Sequence, residues 1–304
     1  MTRALIVGAG SIGFRHGEVL RGLGCDIAFV SSRTDLPDAR FENLEAGLDG
    51  FEPEYVVVAN ETERHAGTVA QLAAAEFRGT VLVEKPLAAP LAVIERSEFS
   101  VFGVGYNLRF HPLVVALIAA VAGRTVLTAE VYAGQHLSTW RPDRAVREQY
   151  SATAARGGGA LRDLSHELDY LDLLLGRCAG VFARGGRLGD VTVDSDDAWG
   201  FVARFERAAI VTVQLNYLDT QTRRRVIVNT GDSTIEADFL TSTLRVDGES
   251  THYTTERNDS YSAMHTAMLA GGGQGVTTAS DAARTDALIT TIERSAFEQR
   301  WIEP

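Results

Sequence analysis

Four consecutive apolar residues, Ala4-Leu5-Ile6-Val7, run directly into Gly8-Ala9-Gly10-Ser11-Ile12-Gly13. A short unbroken apolar run is what a strand buried on both faces needs. G-x-G-x-x-G between such a strand and a helix specifies strand, tight turn and helix in fixed order. The bare spacing is a weak signal, because 29 glycines in 304 residues give it by chance about 0.3 times per chain. Its place after the first strand makes it strong. Gly8 allows the tight turn, Gly10 lets the main chain approach a pyrophosphate, and Gly13 lets helix and strand pack closely. Ser11 and Ile12 open a helix whose first N–H groups are available to an anion. The competing reading is a glycine-rich turn that binds nothing.

The pattern repeats without its glycines. Asp26 to Val30 reads as the second strand, and the place where a ribose-binding carboxylate belongs holds Ser31, Ser32 and Arg33. Two hydroxyls and a guanidinium suit a 2′-phosphate that a carboxylate would repel, so the expected cofactor is NADP(H), with NAD(H) possible if Arg33 is only a solvated loop residue. Glu54 to Ala59 is the next buried strand, followed by Asn60-Glu61-Thr62 and a helix containing His65. Asn60 and Thr62 are candidate cofactor contacts; His65 joins them, although a histidine in a first helical turn more often caps or packs.

Val81-Leu82-Val83 is again a short apolar run, and Glu84-Lys85-Pro86 stands at its carboxyl end, where ligands of parallel sheets sit. A lysine there can aim its ammonium at an oxygen on which negative charge develops, and Pro86 limits how Lys85 can point. Glu84 and Lys85 also belong to the expected cofactor contacts. Taken alone the tripeptide is a strand end with a solvated lysine. Its neighbours argue otherwise. A further strand, Val101 to Tyr106, precedes Asn107-Leu108-Arg109-Phe110-His111-Pro112. Strands alternating with helices predict a doubly wound parallel sheet over residues 1–112.

From Leu113 the pattern changes, predicting a second domain over 113–304. A helix (Leu113 to Val121) and a strand (Thr125 to Tyr132) lead to a polar segment with Trp140-Arg141-Pro142. Gly157-Gly158-Gly159 then opens a helix running to Leu175. Leu164, Leu168, Leu171 and Leu175 make its apolar stripe, while Asp163, His166 and Asp169 recur on another face; Glu167 and Asp172 read as solvated. Val191 to Val193, Ala198 to Phe205, Ile210 to Leu215, Arg225 to Val228 and Ser233 to Ala237 read as strands with no helices between them, hence an antiparallel sheet. Arg223-Arg224-Arg225 reads as solvated or subunit-facing strand surface rather than a phosphate site. Gly271 to Gly275 is a loop and Ser280 to Phe297 a closing helix. Tyr106, Asn107, Arg109, Trp140, Tyr150 and Tyr261 are pocket candidates, though such residues more often pack or face solvent.

Composition narrows the partners. A formal net charge of −11 opposes a phosphate backbone, so no nucleic acid is expected. No apolar run nears the roughly 20 residues of a membrane span, and Met1-Thr2-Arg3 leads into a strand rather than a signal peptide, so the expected address is the cytoplasm. Cys25 and Cys178 make no disulfide framework, and no metal site is expected.

With Gly8-x-Gly10-x-x-Gly13, Glu84-Lys85-Pro86, and Gly157-Gly158-Gly159 through His166 to Asp169 in that order, the chain resembles the glucose-fructose oxidoreductase and inositol dehydrogenase (Gfo/Idh/MocA) family over nearly its whole length. The resemblance implies an N-terminal Rossmann domain and a C-terminal α/β domain. The latter's open, mostly antiparallel sheet commonly forms the oligomer interface, hence a homodimer or homotetramer. It further implies a bound nicotinamide and hydride exchange with a sugar, cyclitol or sugar nucleotide. Carried over by motif, Lys85 matches the lysine that orients substrate and stabilises the alkoxide, His166 the histidine that moves the hydroxyl proton, and Asp163 the nearby carboxylate. Many relatives place that carboxylate four residues before the histidine, whereas Asp163 and His166 are three apart. The chain is also short for the family. Two rival readings are a catalytically silent nicotinamide-binding regulator, against which Lys85 and His166 count, and a structural protein with an empty nucleotide fold.

Overall fold

The computed structural model describes residues 1–304. The chain divides into two compact units, Met1–Phe110 with Glu256–Ala283 and His111–Thr255 with Arg284–Pro304. The expected division into 1–112 and 113–304 thus meets a chain that is not cut once, because residues 256–283 carry apolar side chains that complete the first unit's core.

In chain order the first unit begins β1 (Arg3–Val7), α1 (Ser11–Gly22), β2 (Asp26–Val30), β3 (Ala39–Phe41), α2 (Leu44–Phe51), β4 (Tyr55–Val58), α3 (His65–Ala74), β5 (Thr80–Val83), α4 (Leu91–Arg96) and β6 (Val101–Val104). The strands form one parallel sheet ordered β3-β2-β1-β4-β5-β6. The two-residue period of a strand explains the unbroken apolar runs: Leu5, Val7, Val56, Val58, Val81 and Val83 enter one core, and Ala4, Ile6, Tyr55, Val57 and Leu82 the other. Neither β3 nor α2 was legible as an apolar run, since β3 is only three residues long and α2 starts on an Asn43 side-chain cap to Ala46 N.

The second unit follows with α5 (Pro112–Val121), β7 (Val126–Gly134), α6 (Ala160–Asp163), α7 (His166–Leu175), β8 (Cys178–Gly186), β9 (Ala198–Phe205), β10 (Ala208–Asn216), β11 (Arg223–Thr230), β12 (Thr234–Asp238), β13 (Thr243–Val246) and β14 (Glu249–His252). Its eight strands are ordered β14-β13-β12-β11-β7-β10-β9-β8, and only the β7–β10 pair is parallel. The chain ends with α8 (Asp259–Leu269), within the first unit, and α9 (Ala279–Glu298). No helix is long and apolar enough to cross a membrane.

Three local expectations change. Val191 to Val193 is a bend rather than a strand: Val193 N donates to Ala152 O at 2.9 Å, consuming a main-chain donor a ladder would need, and Thr192 Oγ1 donates to Ser195 O at 2.6 Å. The predicted single helix from Gly159 to Leu175 is broken at Leu164–Ser165, where Ser165 N turns back to Arg162 O and Leu168 N to Ser165 O. Asp163 therefore closes one helix and His166 opens the next, so they do not share one helical face. Glu167, read as solvated, is wholly buried: Arg224 Nε and Nη2 bind its carboxylate at 2.6 and 3.0 Å. The chain's one run of arginines contributes Arg224 inward, not only a solvated surface.

Candidate active site

The order of the parallel sheet reverses at β1 and β4, so the carboxyl ends of these strands border a crevice of the kind that takes ligands in doubly wound folds. Gly8 (φ +106°) turns the chain here, and a Cβ on it would lie 2.6 Å from Ala59 O; one on Gly13 would collide with Gly8 O. Those two glycines are required by packing alone. Gly10 is different, because no atom lies within 4 Å of where its Cβ would be. Its bare main chain is exposed at the start of α1, an end that no side chain caps. Open N–H groups beside an uncrowded glycine fit the pyrophosphate of a dinucleotide.

Around this turn the other candidates separate into two kinds. Asn60, just past β4, gives its Nδ2 to Thr68 Oγ1 at 2.9 Å and leaves Oδ1 buried with no hydrogen-bond partner, an acceptor a bound amide or hydroxyl would satisfy. Thr62 begins the next turn. His65 is buried, with Nδ1 3.0 Å from Pro86 O and Nε2 3.3 Å from Asn60 O. Burial pushes its pKa down, which favours the neutral form, and its ring bridges the loop after β4 and the loop after β5. Arg33 stacks over Phe14 with its guanidinium 4.8 Å from the ring centroid, donates to Ala9 O at 3.2 Å, and holds Asp35 in a two-point ion pair at 2.9 and 2.6 Å. Ser31 Oγ accepts from Arg33 N at 3.1 Å, while Ser32 is exposed.

Glu84, at the carboxyl end of β5, is 8% exposed and is the most constrained acid in the first unit. His16 Nε2 lies 2.9 Å from Glu84 Oε1, and Lys85 N donates to Oε2 at 3.2 Å. Burial raises the pKa of this carboxyl, but the His16 hydrogen bond and the charges of His16 and Lys85 outweigh it and leave Glu84 below the ordinary range. A buried anion thus sits beside Lys85, which is itself half-buried.

In the second unit, Asp163 is buried and accepts from Tyr150 Oη at 2.8 Å and Tyr217 Oη at 2.6 Å. Burial, then the neighbouring Asp163 charge, pushes both phenols well above their usual pKa, so they are fixed donors. Trp140 packs edge-on against Tyr217 and Arg141 lies over Tyr150, which accounts for two of the pocket candidates as walls of this cluster. His166, half-buried, opens α7, with Asp169 buried one turn on. Gly159, before α6, has φ +133°, and a Cβ on it would strike Asp196, whose carboxylate receives Leu161 N at 2.9 Å.

Residues 129–236 match the model of the GFO/IDH/MocA C-terminal domain. No curated protein matches the sequence. Among solved structures, GenD2 from gentamicin A biosynthesis in complex with NAD is 22% identical, with a TM-score of 0.80 over 100% of this chain and 96% of that one. The WlbA dehydrogenase from Bordetella pertussis in complex with NADH and UDP-GlcNAcA is 19% identical, with a TM-score of 0.82 over 100% and 97%. A putative myo-inositol dehydrogenase from Sinorhizobium meliloti 1021 is 19% identical, with a TM-score of 0.77 over 100% and 99%. At these identities the likeness establishes the fold, and it extends over the whole chain.

The first unit assembles Gly8, Gly10, Ser11, Ile12, Gly13, Asn60, Glu84 and Lys85 at one end of its sheet, and the second unit assembles Asp163 with Tyr150 and Tyr217. Arg109, a pocket candidate, is buried and paired with Asp281 at 3.1 Å; Asn107 Nδ2 donates to Ser260 Oγ at 2.7 Å, so Arg109 ties α9, and Asn107 ties α8, to the turn after β6. Sequence reading missed His16, His265 and Tyr55, which contact one another and Glu84. Their only signal is a histidine or tyrosine among apolar neighbours, which ordinary cores also show.

Proposed function

We propose that this chain is a nicotinamide-dependent oxidoreductase acting on a secondary alcohol or ketone of a sugar, cyclitol or sugar-nucleotide-like substrate. The observation that carries the reading is a buried, anionic Glu84 directly before Lys85, in the same unit as the open Gly10 turn. The dinucleotide's phosphates would lie on Gly10, Ser11, Ile12 and Gly13, with Asn60 and Thr62 beside them. Bound nicotinamide supplies a hydride acceptor or donor. The chain's own residues do the rest: Lys85 steadies the oxygen on which negative charge grows, and His166 accepts the hydroxyl proton in the oxidising direction. Asp163, which accepts from two phenols, takes the role of the nearby carboxylate in this reading.

NADP(H) is the preferred dinucleotide in this reading, with Ser31, Ser32 and Arg33 around the 2′-phosphate. Arg33 must then exchange Asp35 for phosphate, and this surface pair is weak enough to exchange. A second copy of the chain covers the outward face of the eight-stranded sheet, where Phe182 and Val202 are paired neighbours left exposed. The test is a panel of sugars and cyclitols with NADP+ and NAD+, followed at the reduced-nicotinamide absorbance. Lys85→Ala and His166→Ala should each remove turnover by at least about 100-fold while dinucleotide affinity stays within about twofold. Failure to bind either dinucleotide, or equal loss of binding in both variants, overturns the assignment.

A further inference from the structure

Four buried side chains of the first unit stand in single file. Tyr55 Oη is 2.8 Å from His265 Nδ1, His265 Nε2 is 2.8 Å from His16 Nδ1, and His16 Nε2 is 2.9 Å from Glu84 Oε1. The file ends on the Lys85 main-chain N–H, which donates to Glu84 Oε2. Tyr55, His265 and His16 are fully buried, so no solvent competes for these contacts. Gly105, just past β6, closes the other side: a Cβ there would lie 2.6 Å from Glu84 Oε1.

The protons have few ways to be arranged. Burial, and then the nearness of His16, pushes His265 well below an ordinary imidazole, so it is neutral. With His16 also neutral, both rings carry hydrogen on Nε2, Tyr55 donates to His265, and every donor points toward Glu84. With one more proton on His16, its Nδ1–H points back to His265, whose Nδ1–H donates to Tyr55. In both arrangements His16 Nε2–H donates to Glu84, and no heavy atom needs to move.

We propose that Tyr55, His265 and His16 are positioning residues: they hold the Glu84 carboxylate in place and aimed at the main chain of Lys85, and thereby set the direction of the Lys85 side chain. The inference rests on the reading of Lys85 as the group that steadies the substrate oxygen. Nothing in the glycine turn or the strand ends otherwise requires a carboxylate in this place. The other titratable or charged groups facing the file are Cys25 near Tyr55, His65 and Lys85 near Glu84, and Tyr261, edge-on to His16 at 5.6 Å with Arg15 over its ring. An anion at Glu84 attracts the ammonium next to it; a neutral carboxyl does not.

The test compares His16→Leu, which removes the donor, with His16→Gln, whose amide N–H can reach the place of Nε2. In the full-length enzyme His16→Leu should lower kcat about 10–100-fold, leave KM for the dinucleotide within about twofold, and move the acid limb of the kcat profile to higher pH. His16→Gln should recover most of the loss, and in a Glu84→Gln background His16→Leu should add less than about twofold. A 13C carboxyl titration of Glu84, recorded without substrate, should show its midpoint rising in His16→Leu and returning in His16→Gln. Equal slowing by Leu and Gln, or an unmoved Glu84 midpoint, overturns the proposal. Should His16→Leu not fold, Tyr55→Phe, which weakens the far end of the file, must raise the same midpoint, and an unmoved one counts against us. A wild-type enzyme that turns over no alcohol defeats the proposed function instead, and leaves the Glu84 titration to judge the file.

Discussion

Glycines 8, 10 and 13 look alike in the sequence and differ in what surrounds them. Two are fixed by neighbouring main chain and one by nothing the protein itself supplies. Gly13→Ala should therefore destabilise the fold by about 2 kcal/mol or more in urea titration, since the added carbon must displace the Gly8 carbonyl. Gly10→Ala, at φ −77°, should leave stability within about 0.5 kcal/mol and weaken dinucleotide binding, read by fluorescence titration. Equal destabilisation by both would remove the argument that Gly10 faces a ligand. Arg33 is a second case. Its residue type reads as a phosphate partner, while its two-point pair with Asp35, two positions on, is seen only in the structure. Asp35→Ala should raise the ratio of kcat/KM for NADP+ over NAD+ several-fold, and an unchanged ratio would mean that Arg33 never meets the phosphate.

At the scale of elements, the buried strands were readable because continuous apolar runs have few other uses, and the mostly antiparallel second sheet because its strands lack intervening helices. The helix after Gly159 was misread as one piece. Its leucine stripe continues across the break, so hydrophobic period alone cannot see that Leu164–Ser165 tightens the turn. Glu167 was misread for a related reason: a charge on an amphipathic helix is normally outward, and only β11, 57 residues on, brings the Arg224 that makes an inward acid tolerable. Removing one member of such a pair strands the other. Glu167→Ala should cost about 3 kcal/mol by urea unfolding, whereas replacing both Glu167 and Arg224 by apolar residues should cost markedly less than the sum of the single changes.

At the scale of the whole molecule, chain order and spatial grouping part company, because α8 and the first turn of α9 fall with residues 1–110. That grouping gives the first unit Met264 and Met268 for its core and His265 for its polar file. It also makes the protein acid-sensitive in a predictable direction. His265, and to a lesser degree His65, are held neutral by burial, whereas an unfolded histidine takes up a proton near pH 6.5. Below that pH the unfolded chain binds more protons than the folded one, so stability falls as pH drops. Glu84 acts lower in the same direction: its contribution is complete above the unfolded carboxyl value and is lost as pH falls through its depressed folded value. The urea midpoint should drop between pH 7 and 5, and His265→Gln, though less stable at pH 7, should drop less. A parallel decline in both proteins would remove His265 from this account. By itself the sequence determined the two sheet types, the glycine turn and the lysine at a strand end, since each follows from local period, backbone freedom or strand geometry. Only tertiary structure decided which residues share the file behind Glu84, because a hydrogen bond between His16 and His265 joins positions 249 residues apart, and no local pattern records which distant helix will bring the second ring.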